Sequence, residues 1–391
     1  MRSAGSPRRF PAYDRQMADL KSALAWSALV AGAAVAAERA ANHWRQGSGG
    51  GALDWDLVRR TAYSRAGEDR LDLIREVGDT YQPLVQQLVP LLALACGTGA
   101  QSATFGAVRV VGRRGFVDQN LAMMQRVIGP LEQMTGGFRS SPMLRLPTSL
   151  YLGTLLGYIG RRVLGQYDPV LSFGGEEPAS LPSPALLMVE PNVRDFQERA
   201  GLPLDSLRRW LMLHELTHAW QFELHPWLAP HLTSLVAELA RLPRTQGPKG
   251  LEELLQAARQ VRPQLAAVGR IQAVMALLEG HANYIMREVG QRHLADFETL
   301  DQAFHRRQEQ PTTLERLLLI ISGVALKLQQ YQQGERFLRQ IREGGGEEAL
   351  ARVWAGPESL PSWGEVRRPE RWLERMGYQR SWPGWPAPQP A

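Results

Sequence analysis

Residues 211–220 read LMLHELTHAW and contain the most informative pattern in the chain. His214 and His218 stand four residues apart, Glu215 follows the first, and no other charged residue interrupts the stretch. In a helix, residues four apart lie one turn apart on nearly the same face, so two imidazoles at this spacing can bind one tetrahedral cation. Glu215 is rotated by roughly 100° from His214, which suits it to take a proton from a nearby water molecule. The spacing therefore predicts a metal site with a general base.

The apolar neighbours distinguish a metal site from two histidines that share a helix by chance. Apart from Thr217, every other residue of the stretch is apolar, which predicts a buried helix. A buried helix does not hold two imidazoles and a carboxylate together without a partner, because their desolvation costs free energy. We therefore interpret His214 and His218 as ligands and Glu215 as the catalytic base.

The third ligand does not follow the motif directly. In metzincins a glycine and then a histidine continue the pattern, with the histidine six residues after the second ligand. Here Gln221 stands in place of the glycine and Leu224 in place of the histidine, and His225 comes one residue too late. A catalytic zinc site with three protein ligands and one open position therefore needs a ligand from another segment.

Two glutamates are candidates for that ligand. Glu238 lies in SLVAELAR, twenty residues after His218, and Glu279 lies in the strongly apolar ALLEGHANYIM. A carboxylate buried at Glu279 is costly unless it faces a cation. Glu238, with Arg241 nearby, is typical of a surface ion pair. The context favours Glu279 and leaves Glu238 as the alternative.

The residues that follow Glu279 predict further details of the site. Gly280 and Ala282 are small and would let two helices approach closely enough to share a metal. Asn283 lies one turn after Glu279 and could accept a hydrogen bond from a ligand histidine, which would fix its tautomer. His281 is either a functional imidazole near the metal or a hydrogen-bonded core residue.

Composition limits the class of protein. The 391 residues are 44% hydrophobic, enough for a large core, and carry a formal charge of +6. The positive charge is almost all arginine and alternates with acidic residues, so no nucleic-acid-binding surface is predicted. Cys96 is the single cysteine, which excludes an intrachain disulfide and a cysteine-based zinc site.

Apolar periodicity near 3.6 predicts a mainly α-helical chain. The predicted helices cover residues 16–45, 55–66, 69–95, 116–135, 148–164, 204–222, 232–241, 251–262, 267–288, 312–330 and 333–343. Two short apolar runs, VRVVG at 108–112 and ALLMVE at 185–190, predict a small β element. We place domain boundaries so that 1–50 form a helix and a glycine-rich linker, 51–356 the main domain, and 357–391 a tail rich in proline and tryptophan.

An uncharged segment lies near the N-terminus. Residues 22–37 read SALAWSALVAGAAVAA, which is shorter than the roughly twenty residues of a membrane-spanning helix. We expect a buried or partner-packed helix and a cytoplasmic protein. Membrane association through residues 22–37 is the alternative.

Several stretches of the chain resemble a known family. They are LDWDLV (53–58), VGRRGFVDQN (111–120), LGYIGRRVLGQYDP (156–169), LLMVEPNV (186–193), WLMLHELTHAWQFELHPWL (210–228) and LLEGHANYIM (277–286). In order and spacing they resemble the zincin-like metallopeptidases of type 2, whose actinobacterial members are labelled as hydrolases associated with deazaflavin coenzyme biosynthesis.

The resemblance implies a mainly helical zincin-like metallopeptidase with a small β element beside the active-site helix. It implies Zn²⁺ held by His214, His218 and Glu279, with Glu215 as the catalytic acid and base. The chain departs from the family at Asn283, where aspartate is common. A peptide or protein is the expected substrate.

The expected reaction is hydrolysis of a peptide or amide bond, with Tyr284 and His281 as candidates for stabilising the transition state. Substrate could pair with the ALLMVEPN strand, or that strand could be core. The alternatives are a non-catalytic zinc-containing helical binding or scaffold protein, a membrane-associated assembly factor, and a hydrolase of small amides. The oligomeric state is left open.

Overall fold

A computed structural model describes residues 53–96, 108–134, 142–167, 186–240, 251–309 and 327–378. These residues form a mainly helical protein with a small sheet, which confirms the predicted fold class. Among them, no helix is both long enough and apolar enough to cross a bilayer. The predicted helix over 16–45, its apolar segment 22–37 and the end of the tail lie outside the described residues. The proposed domain boundaries stay predictions.

Helices form most of the described chain. Those before the HELTH motif are α1 (Trp55–Ala66), α2 (Leu71–Val77), α3 (Tyr81–Ala95), α4 (Arg113–Met134), α5 (Pro142–Gly160) and α6 (Glu190–Ala200). The motif helix is α7 (Leu204–Leu224). It is followed by α8 (Leu228–Ala240), α9 (Leu251–His293), α10 (Phe297–Glu309), α11 (Lys327–Arg352), α12 (Trp363–Arg367) and α13 (Pro369–Arg375).

The predicted helices divide differently from the observed ones at two places, and most of the predicted helix over 312–330 lies outside the described residues. The predicted helix over 69–95 is two helices, because Gly78 has a positive φ of 46° and ends α2. The helices predicted over 251–262 and 267–288 are one helix, α9, which continues through Pro263. A proline removes one backbone hydrogen bond, and the packing of α9 against α7, α8 and α11 offsets that loss.

The sheet has three short strands in the order β1-β3-β2. β3 (Leu186–Val189) is fully buried and pairs in parallel with β1 (Val108–Val111) and antiparallel with β2 (Gly165–Tyr167). The interpretation of β3 as a strand that pairs with substrate is therefore wrong, because both of its edges already have partners. Its unbroken apolar run is instead that of a central core strand. β2, which the sequence did not predict, is an edge strand of this sheet.

A buried carboxylate links the sheet to the motif helix. Glu190 follows β3 directly and is fully buried. Its two oxygens accept hydrogen bonds from Arg208 Nη2 at 2.5 Å, Tyr81 Oη at 2.7 Å and Arg194 Nε at 3.2 Å. Because a buried charge must be paired, these bonds tie α3, α6 and the start of α7 to the end of the sheet.

Two apolar cores share helix α9. One packs α7 against α3, the sheet and the C-terminal half of α9, with Leu213 and Leu216 completely buried. The other packs α9 against α11 and the segment from Val353 to Tyr378. Trp372 in that segment is fully buried and donates a hydrogen bond to the Ser359 carbonyl at 2.7 Å. The described part of the tail is therefore packed against the body of the protein.

Two glycines let α9 and α11 cross in backbone contact. A Cβ added at Gly334 would lie 1.8 Å from the carbonyl oxygen of Ala276, and one at Gly280 would lie 2.2 Å from the carbonyl carbon of Gly334. The sequence predicted that Gly280 would admit the helix that shares the metal. In the structure Gly280 instead faces α11, so its small size lets α9 pack closely against α11 and not against α7.

This crossing predicts a difference between two glycine substitutions. Gly334→Ala should lower the free energy of unfolding by about 1–3 kcal/mol, because the helices must separate to admit the methyl group. Gly269→Ala on α9 is the matched control, since its Cβ would meet nothing within 4 Å. This control should raise stability by about 0.5–1 kcal/mol, because alanine has the higher helix propensity. Urea denaturation measures both, and equal midpoints for the two variants would contradict the close crossing.

Candidate metal centre

Helices α7 and α9 bring three predicted ligands together. The Nε2 atoms of His214 and His218 lie 3.3 Å apart, and Glu279 Oε2 lies 3.9 Å from the first and 3.7 Å from the second. The corners of this triangle are about 2.1 Å from a common centre, which is the length of a zinc–nitrogen bond. Among the described residues, these are the three side chains whose donor atoms converge in this way. The donor set therefore fits a metal ion.

The electrostatics of the three side chains favour a positive charge at their centre. Burial, together with the neighbouring His218, lowers the pKa of His214 to about 4. Burial also disfavours the charged form of His218, but hydrogen bonding and attraction to the Glu279 carboxylate outweigh it and raise its pKa to about 9. The carboxylate thus stabilises a positive charge beside it. Either a proton on His218 or a bound metal ion would supply that charge.

Glu215 lies next to the three converging side chains and is itself buried, with 6% of its surface exposed. Its Oε2 accepts a hydrogen bond of 2.9 Å from the backbone N–H of Tyr167 in β2. Burial raises its pKa to about 7, with the Glu279 charge adding to the rise. A Cβ at Gly165 would lie 3.0 Å from Glu215, so glycine lets the edge strand approach the carboxylate closely.

A cleft of about 610 Å³ opens over these residues, between β2, α7, α9 and α10. One end is apolar and lies one helical turn beyond the ligands. Its lining side chains are Phe222, Leu232, Met275 and Leu278. The other end is charged and contains ion pairs. Its lining side chains are Arg287, Asp301, His305 and Glu335.

Three further candidates from the sequence lie in different surroundings. Asn283 lines the cleft. Tyr284 is instead bonded through its hydroxyl to Arg342 of α11 and is not among the cleft residues. His281 is buried behind the ligands, with its ring 5.1 Å from that of Trp354. Asn283 is therefore the one of the three that can contact a bound molecule.

The alternative ligand Glu238 does not reach the metal centre. Both of its oxygens accept hydrogen bonds of 2.6 Å from Arg270 Nη2 of α9, at a partly exposed position. The surface ion pair was expected, although its partner is Arg270 and the suggested Arg241 lies outside the described residues. His225, at the end of α7, stacks on Trp354 with ring centroids 5.1 Å apart and does not join the ligands.

Two contacts in the site were not predicted from sequence. The Nδ1 atom of His218 lies 3.0 Å from Gln221 Oε1, so the partner of this ligand is Gln221 and not Asn283. The backbone N–H of Tyr167 is the second, and a backbone donor leaves no signal in the residue pattern. Gln221 lies one turn after His218, where a search among i+3 and i+4 neighbours could have found it.

The geometry predicts which glutamate controls metal content. Glu279→Ala should weaken metal binding by about 100-fold or more. Loss of a residue that only hydrogen-bonds to a ligand weakens metal binding by roughly 10- to 100-fold, and loss of a ligand itself should weaken it more. Glu238→Ala is the matched control and should bind metal as the parent protein does. Elemental analysis of both purified variants measures the effect. If only the Glu238 variant lost metal, Glu238 would have to replace Glu279 as the third ligand.

Comparison with known proteins agrees with this geometry. Residues 53–373 match the model of a family described as zincin-like metallopeptidase. A solved structure from Chloroflexus aurantiacus, described as "a putative hydrolase with a novel fold", is 32% identical and superposes with a TM-score of 0.64. The match covers 84% of this chain and 99% of that one. Comparison with curated proteins gives no match. Both similarities favour a hydrolase, and the chain belongs to the zincin-like metallopeptidase family.

Proposed function

We propose that the protein is a zinc-dependent hydrolase that cleaves a peptide or amide bond. The observation that carries this proposal is the convergence of His214, His218 and Glu279 beside the buried carboxylate of Glu215, on the wall of a cleft. A purely structural zinc site would be closed by a fourth protein ligand. The converging group has three members among the described residues, and it faces open space.

Zinc is the cofactor that we assign to this site. Two imidazole nitrogens and one carboxylate oxygen are a donor set that zinc takes in hydrolases, and the ligand separations suit its bond lengths. When bound, zinc would act as a Lewis acid that polarises the substrate carbonyl and lowers the pKa of a water molecule toward about 7.

Glu215 carries the proton in the proposed reaction. Its Oε2 is held by the Tyr167 N–H, so we assign proton transfer to Oε1. As the water oxygen attacks the carbonyl carbon, Oε1 takes a proton from that water. Glu215 then delivers the proton to the leaving nitrogen as the carbon–nitrogen bond breaks, which yields a carboxylic acid and an amine. The acid then loses its proton to the amine or to solvent and becomes a carboxylate.

Asn283 is the side chain that we assign to stabilising the negative oxygen of the transition state. Tyr284 and His281 were the candidates from sequence, but neither lines the cleft. Asn283 does, one helical turn beyond Glu279, and its amide can donate a hydrogen bond.

The edge strand β2 supports an extended peptide as the substrate. The Leu164 carbonyl accepts a hydrogen bond from the Val189 N–H at 2.9 Å, so Leu164 faces β3. The next residue, Gly165, therefore directs its backbone groups to the opposite edge, along the cleft. The lining positions Met275 and Arg287 are twelve residues apart on α9, about 18 Å, which matches roughly five extended residues.

Replacing the base should separate catalysis from metal binding. Glu215→Gln should lower peptide cleavage by roughly 100- to 10,000-fold, because the amide cannot accept the proton, while zinc content stays at the parental value. A chelator-sensitive assay on a peptide library, together with metal analysis, measures both. Glu198→Gln, an exposed change on α6, is the control. Loss of zinc in the Glu215 variant would refute the role of base. Zinc-loaded parent protein that cleaves no peptide would favour the scaffold alternative.

The apolar end of the cleft predicts a preference in the cleaved peptides. A large apolar residue should lie on one side of the cleaved bond, since Leu232 and Met275 form an uncharged wall. Leu232→Lys should change that preference toward aspartate or glutamate by roughly 10-fold or more, because the new charge attracts acidic side chains. Val268→Lys, which is exposed on α9 and outside the cleft, is the matched control. Sequencing of the cleavage products measures the preference, and identical products from the two variants would contradict it.

A further inference from the structure

The amide of Gln221 is held in one orientation by a backbone group. Gln221 is on α7 with 1% of its surface exposed, and its Nε2 lies 2.8 Å from the carbonyl oxygen of Leu278 on α9. A carbonyl oxygen only accepts hydrogen bonds, so the amide nitrogen must face Leu278 and the amide oxygen must face the other way.

This orientation determines the tautomer of a ligand histidine. The amide oxygen Oε1 lies 3.0 Å from His218 Nδ1 and can only accept, so Nδ1 carries a hydrogen. In the neutral ring the other nitrogen, Nε2, then has the free electron pair. Nε2 is the atom that faces His214 and Glu279 at 3.3 and 3.7 Å.

His281 completes the arrangement on the far side of Gln221. Its Nδ1 lies 3.1 Å from Gln221 Nε2 and accepts that amide's second hydrogen, which requires a neutral ring. Both hydrogens of the Gln221 amide therefore have acceptors, and its oxygen remains available for His218.

We infer that Gln221 is a positioning residue, held by the Leu278 carbonyl and His281, that keeps His218 in the tautomer whose Nε2 binds the metal. The inference rests on the proposed metal function for its consequence, although the tautomer of the neutral ring can be measured without metal. The Leu278 carbonyl directly precedes the ligand Glu279. The Gln221 amide thus connects the orientation of His218 to α9, the helix that supplies Glu279.

The test compares zinc affinity in three variants of the full chain, by competition with a chromophoric chelator. Gln221→Met removes the hydrogen-bonding groups at similar volume and should weaken zinc binding by about 10- to 100-fold. Gln221→Glu keeps an acceptor for His218 Nδ1 but loses both amide hydrogens, so it should weaken zinc binding less than Gln221→Met does. Thr217→Val is the matched control, because this buried hydroxyl bonds to the Leu213 carbonyl on the same helix and should leave zinc affinity unchanged.

The second readout needs no metal. In zinc-free protein labelled with ¹⁵N-histidine and studied well above the His218 pKa of about 9, where the ring is neutral, NMR should show its single hydrogen on Nδ1. Gln221→Met should abolish that single tautomer. The His218 signals are identified by their loss in His218→Asn.

Failure of the inference and failure of the proposed function give different results. A neutral His218 ring with its single hydrogen on Nε2, or zinc affinity in Gln221→Met equal to that of the parent, would overturn the inference while metal binding stands. A parent protein that binds no zinc would refute the metal proposal, and the NMR result would still decide the tautomer.

Discussion

Three electron-pair donors on two helices face one point, and the rest of the described structure keeps them there. The Nε2 atoms of His214 and His218 and the Oε2 atom of Glu279 lie 3.3 to 3.9 Å from one another. At this spacing their lone pairs repel unless a proton or a cation lies between them. Held only by their own helix, such side chains would turn apart. Their convergence needs both helices fixed from outside the site.

Different kinds of contact fix the two helices. The buried Glu190 carboxylate binds the start of α7 to the sheet through Arg208, and breaking this pair would leave a charge buried without its partner. Backbone packing at Gly280 and Gly334 holds α9 against α11. Neither contact lies in the cleft. The cleft surface therefore remains available to a bound molecule. The edge of β2 lies on one wall, one end of the cleft is apolar, and the other end is charged.

Much of this arrangement could be predicted from the chain. The 3.6-residue periodicity located α1 and α7 closely, since α1 buries every fourth residue and α7 is apolar over several turns. It missed α6 and α10, because most of their residues are polar, and it missed α12, α13 and β2, because so short an element repeats too few times to show a period. Glu279 could be chosen over Glu238 by its apolar surroundings. The contacts of Tyr284 and His281 could not be predicted, because which side of α9 faces α11 depends on packing between distant segments.

The sequence by itself determined the chemical inventory: two imidazoles and a carboxylate on one helical turn, a second carboxylate on another apolar helix, and a mainly helical fold around them. These follow from residue type and from spacing along the chain, which are local properties. The tertiary structure alone decided which groups meet: the Tyr167 N–H on Glu215, the Gln221 amide on the Leu278 carbonyl, and the central position of β3. Those contacts join residues far apart in sequence, and they form only because the closed core allows one arrangement of the helices and the sheet.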